Sequence, residues 1–201
     1  MAYTCSFMTN ITTPFKPQAR HLLLIDFEAT CCDKGSVPRH QMEVIEFGAV
    51  MVDAASLATV GEFESFVRPV RHPQLTPFCT QLTSITQADV DAASTFADVL
   101  TRLKPWLYQH PDFVFCSWGD YDRNQLQQDC DFHRLPNPIG APHLNVKRLF
   151  SERQGLQKKP GLNEAVARAG LRFEGRHHRG IDDARNIARL LPWVFGEATL
   201  R

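Results

Sequence analysis

His21-Leu-Leu-Leu-Ile-Asp-Phe-Glu28 is the stretch that most restricts what this chain can fold into. Four consecutive aliphatic residues leave no face for water, so the run is read as a central strand buried on both sides. A strand of that kind needs other elements packed above and below it. The run ends in acids. Asp26 and Glu28 stand two apart, so on a strand both carboxylates project to one face while Phe27 turns to the core. Two acids at the end of a buried strand repel each other and lose hydration. Either a hard divalent cation offsets that cost through oxygen ligands, or the strand ends at the surface, where acids are cheap.

The rest of the chain supplies the layers. Val44 to Val52 and Val60 to Val67 have the pattern of two further strands, and the short Asp53-to-Thr59 link suits an antiparallel hairpin. Residues 95–108 carry apolar positions at helical spacing, with Pro105 expected to end or kink that helix. Phe113-Val-Phe-Cys116 returns to strand pattern, and Asp122 to His133, Gly161 to Ala169 and Asp182 to Val194 are expected helices. Asp182 and Asp183 at the start of the last one complement the helix dipole, and Pro192 falls in its last turn. A three-stranded antiparallel meander, a helix, another strand and then helices make a mixed α/β domain. A chain of 201 residues fits one such domain. Residues 1–20, rich in Thr and Pro, are expected to be an N-terminal tail, with the domain over 21–196 and a short C-terminal tail at 197–201.

Charge and cysteine usage narrow the function. The 22 Lys and Arg are balanced by 22 Asp and Glu, which argues against coating nucleic acid by bulk positive charge but not against gripping a short strand at one site. No apolar run approaches the ~20 residues of a membrane helix. Leu22 to Ile25 is too short for a signal-peptide core, so no membrane association is expected. Cys5, Cys31, Cys32, Cys79, Cys116 and Cys130 form no CxxC pair, and the expected setting is reducing and cytoplasmic.

Two more segments carry chemistry. Ser117-Trp-Gly-Asp-Tyr-Asp122 follows an apolar run and opens a helix, where an Asp often caps free N–H groups. Capping explains Asp120 fully and Asp122 less well, since both cannot be the cap. His177-His178-Arg-Gly-Ile-Asp182-Asp183 places an imidazole on a Gly-containing loop just before an acidic helix start. A flexible loop can swing that imidazole over a site whose acid is fixed on the helix; the bland reading is a solvated His pair beside helix-start acids.

An Asp-x-Glu on a strand, a mid-chain Asp at a helix start and a late His-loop-Asp, in this order, resemble the DEDDh exonucleases. That group has an RNase H-like core and includes DnaQ-type proofreading subunits and RNase T. "IDFEATC", "LTPFCTQLTSITQADVDAASTFADVL", "GDYDRNQL" and "HRGIDDARNIARL" look like its Eri/histone-mRNA 3′-end exonuclease branch, with similarity from about Leu22 to about Leu191. The resemblance places Asp26 and Glu28 in the first motif, Asp122 in the second, and His178 with Asp183 in the third. Asp120 is the other acid of the second motif, and Asp122 is preferred for its spacing to Leu126. Ser84 stands where the branch has Gly, a departure that bears on close approach of the backbone to a nucleotide.

The resemblance implies an RNase H-like fold: a mixed β-sheet, with the antiparallel meander and further strands, flanked by helices. It implies two Mg²⁺ or Mn²⁺ ions held by Asp26, Glu28, Asp122 and Asp183, with His178 as general base. Phosphodiester hydrolysis would then release nucleoside 5′-monophosphates from short or single-stranded RNA 3′ ends. DNA ends are the rival substrate, and a catalytically silent RNA-binding module is a third reading. Phe78, Leu82 and Thr83 would line the terminal-nucleotide pocket, with Phe78 stacking on the base and Phe27 and Ala29 beside the first motif. With four acids assigned to the cluster, the remaining charge is mildly basic. Residues 145–180 hold nine Lys or Arg against three Glu, either a phosphate-contacting border of the strand path or an ordinary solvated face.

Overall fold

The computed structural model describes residues 17–200. Strand β1 (His21–Ala29) carries Leu22, Leu23, Leu24 and Ile25 with no exposed surface, as expected of a run apolar on both faces. Its alternation divides the core in two. Leu22 and Leu24 face one cluster, whereas Leu23, Ile25 and Phe27 face the other. Each fully buried aliphatic side chain contributes about 1.5–3 kcal/mol, so β1 anchors both layers.

Strands β2 (Val44–Asp53) and β3 (Thr59–Phe66) complete the antiparallel meander. Strands β4 (Phe113–Ser117) and β5 (His143–Asn145) add to the other edge in parallel, giving the order β3-β2-β1-β4-β5. Helices α1 (Pro77–Thr83) and α2 (Gln87–Asp91) follow the meander, then α3 (Phe96–Tyr108) and α4 (Tyr121–His133). The C-terminal part contains α5 (Val146–Arg153), α6 (Leu162–Arg168), α7 (Gly180–Arg189) and α8 (Leu191–Phe195). Helices α3 and α4 cover the Leu23–Ile25–Phe27 face, and α5 to α8 cover the Leu22–Leu24 face. This is the expected mixed α/β sheet flanked by helices.

Of the two outcomes expected at Pro105, an end to the helix is not seen: α3 runs on to Tyr108, as the helical spacing over 95–108 predicts. The proline lies near the end of the helix, where only one carbonyl loses its donor, and buried Leu103 and Leu107 hold the final turn on the core. The expected single helix over 182–194 is two helices, with Leu190 as C-cap of α7 and N-cap of α8. Pro192 has no N–H for the Ala188 carbonyl, and the amides of Trp193 and Val194 both bond instead to Leu190 O at 3.0 Å.

Most of the expected N-terminal tail, residues 1–16, lies outside the described residues, as does Cys5. Arg20 leads into β1 with its N–H on Asp112 Oδ2 (3.3 Å). At the other end, the Leu200 N–H bonds Gln154 Oε1 (2.8 Å).

Candidate active site

The Asp26 and Glu28 side chains continue the Leu22–Leu24 face of β1 beyond the end of the apolar run. Helix α7 packs on that face and brings Asp183 to them. The approach is close because both surfaces lack side chains where they touch. A Cβ on Gly48 would lie 2.1 Å from the Gly180 carbonyl carbon, and one on Gly180 would lie 2.7 Å from the Asp26 carbonyl oxygen. One carboxylate oxygen each from Asp26, Glu28 and Asp183 lies within 4.8 Å of the other two. Three of the acids singled out in the sequence, from two distant stretches, therefore meet.

Asp122 joins from the other side of the strand end. It lies in the first turn of α4, is buried, and accepts the Phe27 N–H through Oδ1 at 2.9 Å. Its charge still reaches the cluster, helping to raise the pKa of Asp26 and Glu28. Asp120 is separate. It occupies the N-cap position of α4 but makes no capping bond, contrary to the capping expected of it. Its exposed carboxylate instead accepts from Asn145 Nδ2 (2.9 Å), because its backbone conformation (ψ 0°) is not the extended one of an N-cap.

The His177–His178 loop closes the site. His178 sits in the left-handed region (φ 64°) and donates its N–H to Asp183 Oδ2 at 3.0 Å. Its ring lies 3.9 Å, centroid to centroid, from that of His177. A ring nitrogen of each also comes within 4.8 Å of an Asp183 oxygen. Asp182 faces away, accepting the Arg176 N–H (2.8 Å) and pairing with Arg185 (3.1 Å).

Electrostatically the cluster is under strain. Burial, then the charges of Asp122, Asp183, Glu28 and Glu46, hold the Asp26 carboxyl well above the usual carboxylate range. Burial and the same neighbours push Glu28 up to about 9. Burial raises Asp183 to about 7 against the opposing His178 N–H, and Asp122 to about 6 against the Phe27 N–H. Burial also lowers the His178 imidazole below the ordinary histidine value. Asp183 Oδ1 is buried without any hydrogen-bond partner. An all-oxygen donor set, short of hydrogen-bond donors and containing an orphaned oxygen, fits a divalent cation.

A cleft of about 420 Å³ lies over these groups. Phe27, Ala29, Leu82, Trp118 and Tyr121 are among its walls. The Phe27 ring packs edge-on against Phe47, 4.5 Å between centroids, so it reaches the cleft from within the core. Thr83 is fully buried, its hydroxyl donating to Cys79 O (2.9 Å) and accepting from Ile85 N (3.1 Å). Phe78 is half-buried on the same helical face as Leu82, and neither Phe78 nor Thr83 lines the cleft itself. Ser84 has φ 63° and caps α1 in the left-handed conformation. A glycine is favoured there by backbone geometry alone.

Several residues that shape the site escaped the sequence reading. Gly48 and Glu46 carry no local signal, and Gly180 is legible only as a loop glycine, since their importance depends on the pairing of β1 with β2 and on where α7 lands. The indole of Trp118 donates to Pro160 O (3.2 Å), tying the loop after α5 to the rim. In the basic segment, Arg168 pairs with Glu164 (2.7 Å) and Arg179 with Glu46 (2.9 Å). Lys158 and Lys159 are exposed, and no acidic side chain among the described residues pairs with them.

A central strand ending in paired acids, a helix-borne aspartate beside them and a histidine on the preceding loop form one acidic site on a mixed sheet flanked by helices. The sequence pattern of the exonuclease family RNase_T matches residues 23–191, and the chain belongs to that family. ERI1 exoribonuclease 3 of Mus musculus is 37% identical over 187 residues, an alignment covering 89% of this chain and 55% of that protein. The chain thus spans about half the length of such relatives. Among solved structures, the nuclease domain of 3′hExo, a DEDDh family member bound to rAMP, is 30% identical with a TM-score of 0.79. The match covers 93% of this chain and 98% of that one. A 3′-exonuclease solved with a histone mRNA stem-loop has 28% identity and a TM-score of 0.80, covering 91% and 66%. Membership of this family implies use of a divalent metal. No helix among the described residues is long and apolar enough to cross a membrane.

Proposed function

We propose that this protein is a 3′→5′ exoribonuclease that removes nucleoside 5′-monophosphates from single-stranded RNA ends, with residues 21–196 as the catalytic unit. The observation that carries the reading is the meeting of Asp26, Glu28 and Asp183 around an unpaired buried oxygen, with His178 bonded to the same aspartate. Asp26, Glu28 and Asp183 would hold the metal, with Asp122 completing the set; Mg²⁺ or Mn²⁺, as two ions, suits these oxygens. Bound divalent ions would supply Lewis acidity, compensating the phosphate charge and acidifying the attacking water.

The chain's own groups do the rest. His178, whose lowered pKa leaves the ring neutral near pH 7, accepts the proton of the attacking water on a ring nitrogen. The cleft volume of about 420 Å³ suits one terminal nucleotide. Leu82 and Trp118 offer apolar surface to the base, with Phe27 and Ala29 lining the floor and Phe78 and Thr83 supporting α1 behind Leu82. Lys158, Lys159 and Arg176 are free to meet phosphates further along the strand. Unpaired Cys31, Cys32, Cys79, Cys116 and Cys130 accord with a reducing, cytoplasmic setting.

Digestion of matched 5′-labelled RNA and DNA oligomers with Mg²⁺ tests the reading. A ladder shortening from the 3′ end, faster for RNA, with mononucleotide product is expected. Faster loss of DNA would move the assignment to a DNA exonuclease. Strand binding without metal-dependent product would leave a silent RNA-binding module.

A further inference from the structure

Glu46 is a fifth carboxylate at the cluster, one that the mechanism does not use. It stands on β2 directly opposite Glu28 and has no exposed surface. Like charges opposite one another on a sheet repel, and this pair lies beside two further acids. Glu46 is compensated from one place. Arg179 grips it with Nε (3.1 Å) and Nη2 (2.9 Å), and the Gly180 N–H donates to Oε2 (2.9 Å). The same guanidinium reaches Glu64 at 3.5 Å and lies 5.2 Å over the Phe66 ring, both on β3.

Arg179 and Gly180 immediately follow His178. That histidine occupies a left-handed conformation which costs a side-chain-bearing residue about 1–2 kcal/mol. Its N–H is held by Asp183, and the next two residues are held by Glu46, so the loop is pinned on both flanks. Neither Glu46 nor Arg179 lines the cleft. We propose that Glu46 and Arg179 form a positioning latch that fixes His178 over the carboxylate cluster and cancels a strand charge that would otherwise oppose it. The proposal rests on the exonuclease reading and adds two residues to it that touch no substrate.

Arg179→Lys keeps the charge but loses the two-pronged grip. In RNA digestion it should lower kcat about tenfold while KM stays within about threefold, as misplacement of one reacting group predicts. In a His178→Ala background the same change should alter kcat by less than about twofold, because the latch acts through that ring. Equal losses in both backgrounds, or a loss confined to KM, would overturn the latch. Hydrogen exchange reads the position without turnover: amides of 176–183 should exchange faster in Arg179→Lys while β1 and β4 stay protected. Unchanged exchange there would also overturn it. Should Arg179→Lys fold poorly, Glu46→Gln/Arg179→Gln leaves no buried charge unpaired and should show the same split and the same local exchange. Wild-type protein that releases no mononucleotide would sink the exonuclease reading, and the exchange result would then decide the latch by itself.

Discussion

Two buried acidic groups lie close together in this molecule, and they have been treated in opposite ways. Glu43 and Asp129 are 2% and 1% exposed, as buried as Glu28 at 7% and Asp183 at 3%. Glu43 accepts the N–H groups of Val70, Arg71 and His72 at 3.0, 2.6 and 3.2 Å. Asp129 accepts from Val44 N at 2.8 Å and Gln125 Nε2 at 3.4 Å. Around Asp26, Glu28 and Asp183 the donors run out. Among the described residues no hydrogen bond reaches the Asp26 or Glu28 carboxylate, and Asp183 receives only the His178 N–H. Glu28 and Asp183 match Glu43 and Asp129 in burial, Asp26 is half-buried, and donor supply is what separates the two groups. Glu43 and Asp129 use their charge to fix backbone, whereas Asp26, Glu28 and Asp183 keep theirs for something brought from outside.

The widest separation should be in turnover. Asp26→Asn is expected to lower kcat on RNA by at least about a thousandfold, and Glu43→Gln to leave it within about threefold. Similar losses in both would erase the distinction. Metal should come next: at a hundred times its Kd, Mg²⁺ adds about 2.7 kcal/mol, or roughly 5–10 °C of Tm for a domain of this size. Thermal melts should show that rise in wild type and Glu43→Gln, reversed by chelation, and less than half of it in Asp183→Asn. A full rise in Asp183→Asn would remove that residue from the metal site.

Stability without metal should divide the groups by sign. Glu43→Gln should cost about 1–3 kcal/mol in urea unfolding, since an amide cannot serve three backbone donors as a carboxylate does. Asp26→Asn should raise the metal-free Tm by relieving like-charge repulsion. The smallest effect is the pH slope. Glu28, Asp183 and Asp122, raised to about 9, 7 and 6, bind protons in the folded state that the unfolded chain has already released. Metal-free stability should therefore fall as pH rises from about 4 towards 9, visible as a lower Tm at pH 8.5 than at pH 6. Mg²⁺ should flatten that slope, leaving the part due to Asp129, which burial raises to about 7. A metal-free Tm that climbs over this range would contradict the electrostatics of the cluster.

The features legible from sequence were those written in consecutive residues. Leu22 to Ile25 announced a two-sided strand, the Asp-x-Glu spacing put both acids on one face, and the hairpin link set the meander. His177–Asp182 and His178–Asp183 are equally spaced, so the preference for Asp183 comes from the resemblance to the DEDDh exonucleases and not from spacing. What escaped depends on contacts made across the fold. Glu46 reads as one acid in an apolar strand until β-register sets it against Glu28. Helix α2, five residues long, is too short for a 3.6-residue period to emerge, and β5 has only three residues. Pro105 and Pro192 are the same residue type with different outcomes: α3 runs through Pro105, whereas the chain breaks into α7 and α8 just before Pro192.

The contact between Gly48 and Gly180 carries a last consequence. Two hydrogens where methyl groups would stand set how far a whole helix sits from the sheet, so the spacing of ligands from two different elements hangs on the thinnest spot in the molecule. Alanine at either position would act as a wedge, tilting Asp183 away from Asp26 without touching a single reactive atom.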